Sequence, residues 1–226
     1  MSLKFNEFQV FMAMKELSLY ERKAIFKLAS NILSLDLIKF CINLGVDVTV
    51  DNNYAMRMAT KGGFTEIVQL LIRANPNVVN NDALVVAAKG GFTEIVQLLI
   101  QANPNGISVN NYVLIEVAQR GFTEIVQLFI QAGVCFTGVG CAAFRHAAEN
   151  GHTDTVRLLI QNNADVIGYD YAIYKASENG HTDTVQLLLQ NNADVTRYDY
   201  AIRKASENGY TNIVQLLLQN NADVTA

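Results

Sequence analysis

Hydrophobic residues in this chain are grouped in short blocks that recur at nearly constant spacing. The string Gly-Phe-Thr-Glu-Ile-Val-Gln-Leu, or a close variant of it, begins at six glycines: Gly63, Gly91, Gly121, Gly151, Gly180 and Gly209. The steps between them are 28, 30, 30, 29 and 29 residues, and a weaker copy at residues 35–42 makes seven units. Self-similarity of this period is typical of repeat architectures, in which each unit buries its apolar faces against its neighbours.

Each unit is predicted to form two short helices. The first is rich in small residues; Ala172 and Ala176, for example, lie four positions apart and therefore share one helix face. The second, such as residues 67–72, is apolar over most of its circumference and must be covered on both sides. A threonine before the second helix is predicted to act as its N-cap, and an acidic residue follows it in five of six units. These threonines are Thr65, Thr93, Thr123, Thr153, Thr182 and Thr211.

The end of each second helix carries only Gly or Asn, the residues that most readily adopt a left-handed conformation. We therefore predict a left-handed helix end at Gly45, Asn75, Asn103, Gly133, Asn163, Asn192 and Asn221.

Residues 1–20 are predicted to be an N-terminal cap segment, or alternatively a docking helix for a partner. Residues 21–226 are predicted to form seven stacked repeats, with approximate bounds 21–50, 51–79, 80–109, 110–139, 140–168, 169–197 and 198–226.

The order small-residue helix, Asn-Gly-His-Thr, apolar helix and Asn-Ala-Asp-Val resembles the ankyrin repeat. Residues 178–189 and 192–195 match the second half of that unit, and the resemblance covers roughly residues 21–226. The units are shorter than the family's ~33 residues, and Tyr-Ala-Ile-Tyr at residues 171–174 replaces its Thr-Pro-Leu-His. The resemblance implies an all-α ankyrin-repeat solenoid of helix-turn-helix units with short or absent β-hairpin fingers. This variant looks like the ankyrin proteins of giant amoeba-infecting DNA viruses, and intracellular bacteria also carry many such proteins.

Composition limits the function classes. The net charge of −4 argues against a protein that binds nucleic acid by neutralising phosphates. The longest apolar runs fall short of the ~18 residues that a membrane helix needs, so no membrane partner is predicted. The N-terminus lacks the features of a secretory signal, and three cysteines form no even framework. We therefore expect an intracellular, cytoplasmic protein, located in the host cell if it is viral or an effector.

One arrangement invites a metal site, since the two thiols of Cys135 and Cys141 and the imidazoles of His146 and His152 are ligands that zinc accepts. However, His152 takes the same repeat position as His181, which favours a structural role. The glycines and acidic residues recur with the repeat, so they indicate turns and helix caps rather than a phosphate loop or an acid–base pair. We predict no enzymatic activity, no metal and no cofactor.

Binding of another protein is the predicted function, because the resemblance implies recognition through a concave side formed by loop tips and the ends of the first helices. Residues before the turn glycines change from basic to acidic along the chain, which would steer a partner of opposite gradient. The alternative is that they are simply solvated helix ends. Variable first-helix positions add Arg and Tyr, which are common interface anchors. The candidate partner-binding residues are Asn53, Lys61, Asn81, Lys89, Asn111, Arg120, Glu149, Asp170, Glu178, Asp199, Glu207, Arg57, Arg145, Tyr174 and Arg203.

The last unit is as apolar as the internal ones, although repeat proteins normally end on a polar outer face. Its apolar residues include Val214, Leu216, Leu217 and Leu218. The chain is then either a fragment or covered at this end, and an end-to-end homodimer through this repeat is one hypothesis.

The leading prediction is a non-catalytic interaction scaffold, a host-directed viral or bacterial factor. The alternative is a structural or self-assembling repeat protein with no dedicated concave-surface partner.

Overall fold

The computed structural model describes residues 16–104, 106, 109–134, 140–162, 168–191 and 199–220. In these residues the regular structure is 14 α-helices and one 3-10 turn (Pro76–Val78), with no strand. The all-α class predicted from the sequence is confirmed. The helices are α1 (Leu19–Asn31), α2 (Leu35–Asn43), α3 (Val50–Gly62), α4 (Thr65–Ala74), α5 (Asn81–Gly90), α6 (Thr93–Ala102), α7 (Asn111–Gln119), α8 (Thr123–Gln131), α9 (Gly140–Glu149), α10 (Thr153–Gln161), α11 (Tyr169–Glu178), α12 (Thr182–Gln190), α13 (Asp199–Glu207) and α14 (Thr211–Gln219).

Residues 1–108 and 109–226 form two compact units. In the first unit, α1, α3 and α5 pack side by side in one row, and α2, α4 and α6 form a second row. In the second unit, α7, α9, α11 and α13 form the first row, and α8, α10, α12 and α14 form the second. Consecutive helices are thus the two arms of a hairpin. Within each unit, every hairpin packs on the next through both of its helices.

Both rows of helices contribute side chains to the core. First-row helices bury alanine pairs, such as Ala172 and Ala176 on α11, which allow neighbouring backbones to approach closely, together with larger residues such as Phe144 on α9. Second-row helices bury mainly larger residues, such as Ile125 and Phe129 on α8. These side chains give each unit one continuous apolar core between its two rows.

A glycine with positive φ follows six of the first-row helices, where L side chains are disfavoured. Their φ values lie between 71° and 79°, at Gly63, Gly91, Gly121, Gly151, Gly180 and Gly209. The next residue adopts an inverse γ-turn, as at His181 with φ −86° and ψ 73°. The Thr182 N–H consequently donates to the Gly180 carbonyl over 3.1 Å, and the second helix begins immediately.

The six threonines are the first residues of their helices, so the predicted threonine N-cap is wrong. The N-cap is the preceding Phe, His or Tyr, which makes no side-chain capping bond. The γ-turn is the physical reason, because it moves the threonine one position into the helix. Two threonine hydroxyls instead reach the next hairpin: Thr123 Oγ1 lies 2.6 Å from Thr155 Oγ1, and Thr153 Oγ1 lies 2.8 Å from Thr184 Oγ1.

The predicted left-handed helix ends are confirmed at two glycines and wrong at two asparagines. Gly45 and Gly133 have φ of 77° and 73°. Asn75 is extended, with φ −159° and ψ 108°, and Asn103 has φ −143° and ψ 67°, so neither is left-handed. Each of them precedes a proline, whose ring restricts the preceding residue to extended conformations. The other three predicted positions lie outside the described residues: Asn163, Asn192 and Asn221.

Most of the predicted N-terminal cap segment, residues 1–15, lies outside the described residues. Helix α1 begins with a capping box that the sequence interpretation missed. Ser18 Oγ accepts a bond from the Glu21 N–H over 3.3 Å, and the Glu21 carboxylate accepts one from the Ser18 N–H over 2.8 Å. The hydrogen bonds from Ser18 lower the pKa of the Glu21 carboxyl.

Candidate protein-binding surface

The ends of the first-row helices are fixed by side chains of the following hairpin. In the second unit, the His152 ring covers Gly121 and the His181 ring covers Gly151. His181 Nε2 lies 3.0 Å from the Glu149 carbonyl oxygen, to which the Asn179 side-chain amide also donates over 2.8 Å. These contacts satisfy backbone oxygens at the helix ends, so side chains on the first-row helices project from a rigid frame.

The zinc arrangement considered from the sequence is not assembled by the described residues. His152 Nε2 lies 2.8 Å from the Gln119 carbonyl oxygen, and His146 Nδ1 lies 3.4 Å from a Glu149 carboxylate oxygen. The side chains of Cys135 and Cys141 lie outside the described part of the chain. Within that part, no group of three or more His, Cys, Asp or Glu residues could hold a metal ion.

In the first unit, Arg57 is bound to its own loop. Asp51, Asn52 and Asn53 all have left-handed backbones, with φ of 53°, 57° and 55°. The Arg57 guanidinium donates to the carbonyl of Asn52 and, over 3.4 Å, to that of Asp51. It also stacks on Tyr54, with 5.5 Å from its central carbon to the ring centroid. Arg57 and Asn53, both predicted to contact a partner, therefore belong to a structured turn.

The other candidates of the first unit are spread over two helices. Lys61 is exposed at the end of α3, and Lys89 is half-buried near the end of α5. Asn81 is exposed as the first residue of α5, and its neighbour Asn80 is the N-cap, accepting a bond from the Ala83 N–H over 2.9 Å.

The first helix of the second unit borders an open hollow of about 480 Å³. The Arg120 guanidinium pairs with the Glu116 carboxylate over 2.7 Å at its edge, and Tyr112 is 80% exposed. Asn111 is the exposed first residue of α7, directly after the N-cap Asn110. Because it is open and shallow, the hollow fits an inserted side chain rather than an enclosed small molecule.

The densest group of candidate residues lies on α9, α11 and α13, where aromatic rings alternate with cations. The Tyr174 ring meets Tyr171 edge-on at 6.1 Å and Tyr200 at 6.4 Å between centroids. The Arg145 guanidinium lies 5.3 Å from the Tyr171 centroid, and that of Arg203 lies 4.4 Å from the Tyr200 centroid. With Lys175, 5.2 Å from the Tyr174 centroid, these side chains form one surface. We name it the tyrosine–arginine strip: Arg145, Tyr171, Tyr174, Lys175, Tyr200 and Arg203.

The three predicted glutamates of the second unit are paired with cations of the same row. Glu178 lies 2.7 Å from Lys175 Nζ, and Glu207 lies 2.8 Å from Lys204 Nζ. Glu149 lies 3.9 Å from Lys175 Nζ. The hydrogen bonds from Lys175 and Lys204 lower the pKa of the Glu178 and Glu207 carboxyls. These glutamates are therefore largely compensated rather than a bare acidic surface, and the basic-to-acidic gradient stays a prediction.

Sequence reasoning selected three members of the strip as site residues and missed the other three, Tyr171, Lys175 and Tyr200. The two missed tyrosines are exposed, by 42% and 62% of their surface. The remaining predicted positions, Asp170 and Asp199, lie in the first turns of α11 and α13, directly before these tyrosines. The repeated Asp-Tyr-Ala-Ile string carried a usable signal, because its Ala residues are buried and the preceding Tyr must face outward.

The sequence matches a family model described as ankyrin repeats (3 copies) over residues 25–112, 84–170 and 167–226. These matches cover most of the chain, which therefore belongs to the ankyrin repeat family. Ankyrin repeats generally mediate protein–protein interaction and typically act as non-catalytic scaffolds. No curated protein matches the sequence significantly.

Among solved structures, the chain is similar to the crystal structure of the human ASB11 ankyrin repeat domain. The TM-score is 0.62 with 21% sequence identity, over 76% of this chain and 85% of that chain. At this level of identity the similarity shows the fold alone.

Among the described residues, none of the helices has the length and apolar character needed to cross a membrane.

Proposed function

We propose that this chain is a scaffold that binds a partner protein through the exposed face of the first-row helices in its second unit. The tyrosine–arginine strip is the observation that carries the proposal. Tyr and Arg are among the residues most enriched in binding hot spots, since each offers a large contact area with a polar end. Tyr200 and Tyr171 expose much of this area to solvent. In the family this face is expected to be concave.

Rigidity of the strip supports the same proposal. Each ring meets another ring or a cation, and the helices that carry them are joined at their ends by side chains of the next hairpin. A surface that is ordered before binding loses less conformational entropy when a partner docks.

The intracellular location and the host-directed viral or bacterial role stay predictions.

Affinity capture from host-cell lysate followed by mass spectrometry tests this function. The test variant is Arg145→Glu/Arg203→Glu, which reverses two charges on the strip. The matched control is Arg73→Glu/Arg157→Glu, which makes the same charge change at two exposed positions on second-row helices. We expect a defined protein to be captured by the wild type and the control but lost with the strip variant. Equal capture by all three proteins would refute the proposal.

A second candidate function is self-assembly through the last described hairpin. Leu218 on α14 is 43% exposed, and no described atom lies within 4 Å of a Cβ placed on Gly209. At the equivalent Gly180, a Cβ would lie 2.7 Å from the Tyr210 ring, which covers it. An end-to-end homodimer would cover both features. Analytical ultracentrifugation tests this alternative, and a monomer at high protein concentration would exclude it.

A further inference from the structure

The two arginines of the tyrosine–arginine strip are held in a conformation suited to binding carboxylates. Arg145 lies over the Tyr171 ring and Arg203 over the Tyr200 ring. Stacking covers a face of a guanidinium group and leaves its in-plane N–H groups open to other partners. The planar fork can then donate two parallel hydrogen bonds to one carboxylate, the strongest pairing available to arginine.

Carboxylates within the strip region neutralise these arginines only in part. Among the described residues, no carboxylate lies within salt-bridge distance of Arg145. The nearest one to Arg203 belongs to Glu207, at 3.8 Å from Nε, and that group lies closer to Lys204, at 2.8 Å. Arg145 and Arg203 thus lie over tyrosine rings, and neither has a close carboxylate partner of its own among the described residues of the second unit.

The spacing of the two arginines selects an extended partner. Arg145 is on α9 and Arg203 on α13, with α11 between them. Packed helices lie about 8–10 Å apart, so the two arginines are separated by about 16–20 Å. An extended or polyproline chain rises about 3.1–3.3 Å per residue and covers that span in about six residues. Residues i and i+6 also share a face in both conformations, because six is a multiple of two and of three.

Tyr174 lies midway between the two arginines. Residue i+3 of the segment would face it in the polyproline conformation, which has three residues per turn, but not in an extended strand, where i+3 points to the opposite face. Its ring meets both neighbouring tyrosines edge-on, which builds an aromatic surface between the cations. Aromatic surfaces of this kind accept proline in the polyproline conformation, where little chain entropy remains to be lost. The combination points to a carboxylate, a proline and a carboxylate at three-residue intervals.

We propose that the tyrosine–arginine strip binds an acidic segment of the partner protein in the polyproline conformation, with carboxylates at i and i+6 and a proline at i+3. This inference rests on the proposed function and names the chemistry of its partner. A nucleic acid strand fits less well, because it carries a negative charge at every nucleotide. Carboxylates flank the strip on both sides, at Asp170 and Asp199 in the first turns and at the glutamates near the helix ends.

Fluorescence anisotropy with the full chain and labelled peptides tests the proposal. The probe peptide is EAAPAAE, and the matched peptides are QAAPAAQ, without side-chain charge, and EAPAE, with a shorter spacing. All three carry the label at the N-terminus and an amidated C-terminus, so that no terminal carboxylate is present. We expect EAAPAAE to bind at least about tenfold more tightly than either. Arg145→Gln and Arg203→Gln should each weaken it at least about tenfold. Arg145→Lys keeps the charge without the fork and should give an intermediate loss, and Arg157→Gln on α10 should change nothing.

Several results would overturn the proposal. These are equal binding of EAAPAAE and QAAPAAQ, an equal effect of the Arg157 variant, and no saturable binding up to about 5 mM peptide. Tighter binding of oligothymidylate than of EAAPAAE would assign the strip to single-stranded nucleic acid instead. Lysate capture separates this failure from that of the proposed function. If the peptide fails while capture still depends on the strip, the partner is a protein of other chemistry.

Discussion

Substituting Gly151 by Ala tests whether the rings that cover the turn glycines hold neighbouring hairpins together. Gly151 has φ +72°, and a Cβ placed there would lie 2.7 Å from Cγ of His181. The ring cannot move away without loss, because His181 Nε2 is hydrogen-bonded to the Glu149 carbonyl oxygen. Gly133 is the matched control, since its φ is +73° and no described atom lies within 4 Å of its Cβ position.

The expected magnitudes follow from these two geometries. A left-handed backbone costs an L residue about 1–2 kcal/mol, while replacing Gly by Ala regains about 0.4–1 kcal/mol through the unfolded chain. Gly133→Ala should therefore lower the free energy of unfolding by about 1 kcal/mol. Gly151→Ala adds an overpacking cost of about 1–3 kcal/mol, because the ring or the hairpin must shift. The total expected loss is about 2–4 kcal/mol.

Urea unfolding followed by circular dichroism measures both variants, and a double-mutant cycle with His181→Ala isolates the ring contact. In the His181→Ala background, Gly151→Ala should cost at least about 1 kcal/mol less than in the wild type, since the clash is gone. Gly133→Ala should cost the same in both backgrounds. Equal losses for the two glycine variants, or no coupling between Gly151 and His181, would refute the role assigned to the rings.

Three further predictions concern single side chains. Thr184→Val should lower the unfolding free energy by about 1 kcal/mol by removing the hydroxyl bond to Thr153, and adding Thr153→Val should recover part of it; urea titration checks both. Arg57→Ala should cost about 1 kcal/mol because it frees the carbonyls of the left-handed turn, whereas Arg73→Ala on α4 should be neutral in thermal unfolding. The pKa of Glu178 is lowered by its lysine partner, so this pair stabilises the fold above the ordinary carboxyl pKa and the contribution is lost as the pH falls below about 4. Glu178→Gln should make the acid side of the stability–pH curve shallower; an unchanged curve would contradict the pairing.

The helical hairpin and its repetition could be predicted from the sequence because they rest on local signals. The spacing of the turn glycines, the buried alanine pairs and the apolar second helices each act within one hairpin. The errors arose where two local signals compete. Asn75 was predicted left-handed from its position, but the proline after it imposes an extended backbone. The threonines were predicted as N-caps because no sequence feature indicates the γ-turn before them. That turn moves each threonine one position into its helix.

The candidate site could be predicted only in part, because it is assembled by contacts between hairpins. Arg57 and Arg203 occupy equivalent positions in the repeat, yet Arg57 binds its own loop and Arg203 stacks on a tyrosine. That difference depends on the first residues of each helix, Asp51–Asn53 in one case and Asp199–Tyr200 in the other. Similarly, Tyr171 gains its role from Arg145 of the preceding hairpin, which no pattern within a single repeat reveals.

Site-specific photo-crosslinking in cell lysate tests most directly whether the first-row face of the second unit binds a protein. One protein carries benzoylphenylalanine in place of Tyr174 within the strip, and a control carries it in place of Gln186, exposed on the second-row helix α12. We predict a discrete adduct with a partner protein from the Tyr174 position alone, and its loss in the Arg145→Glu/Arg203→Glu background. Adducts of equal yield from both positions, or only adducts between copies of this chain, would contradict a partner-binding strip.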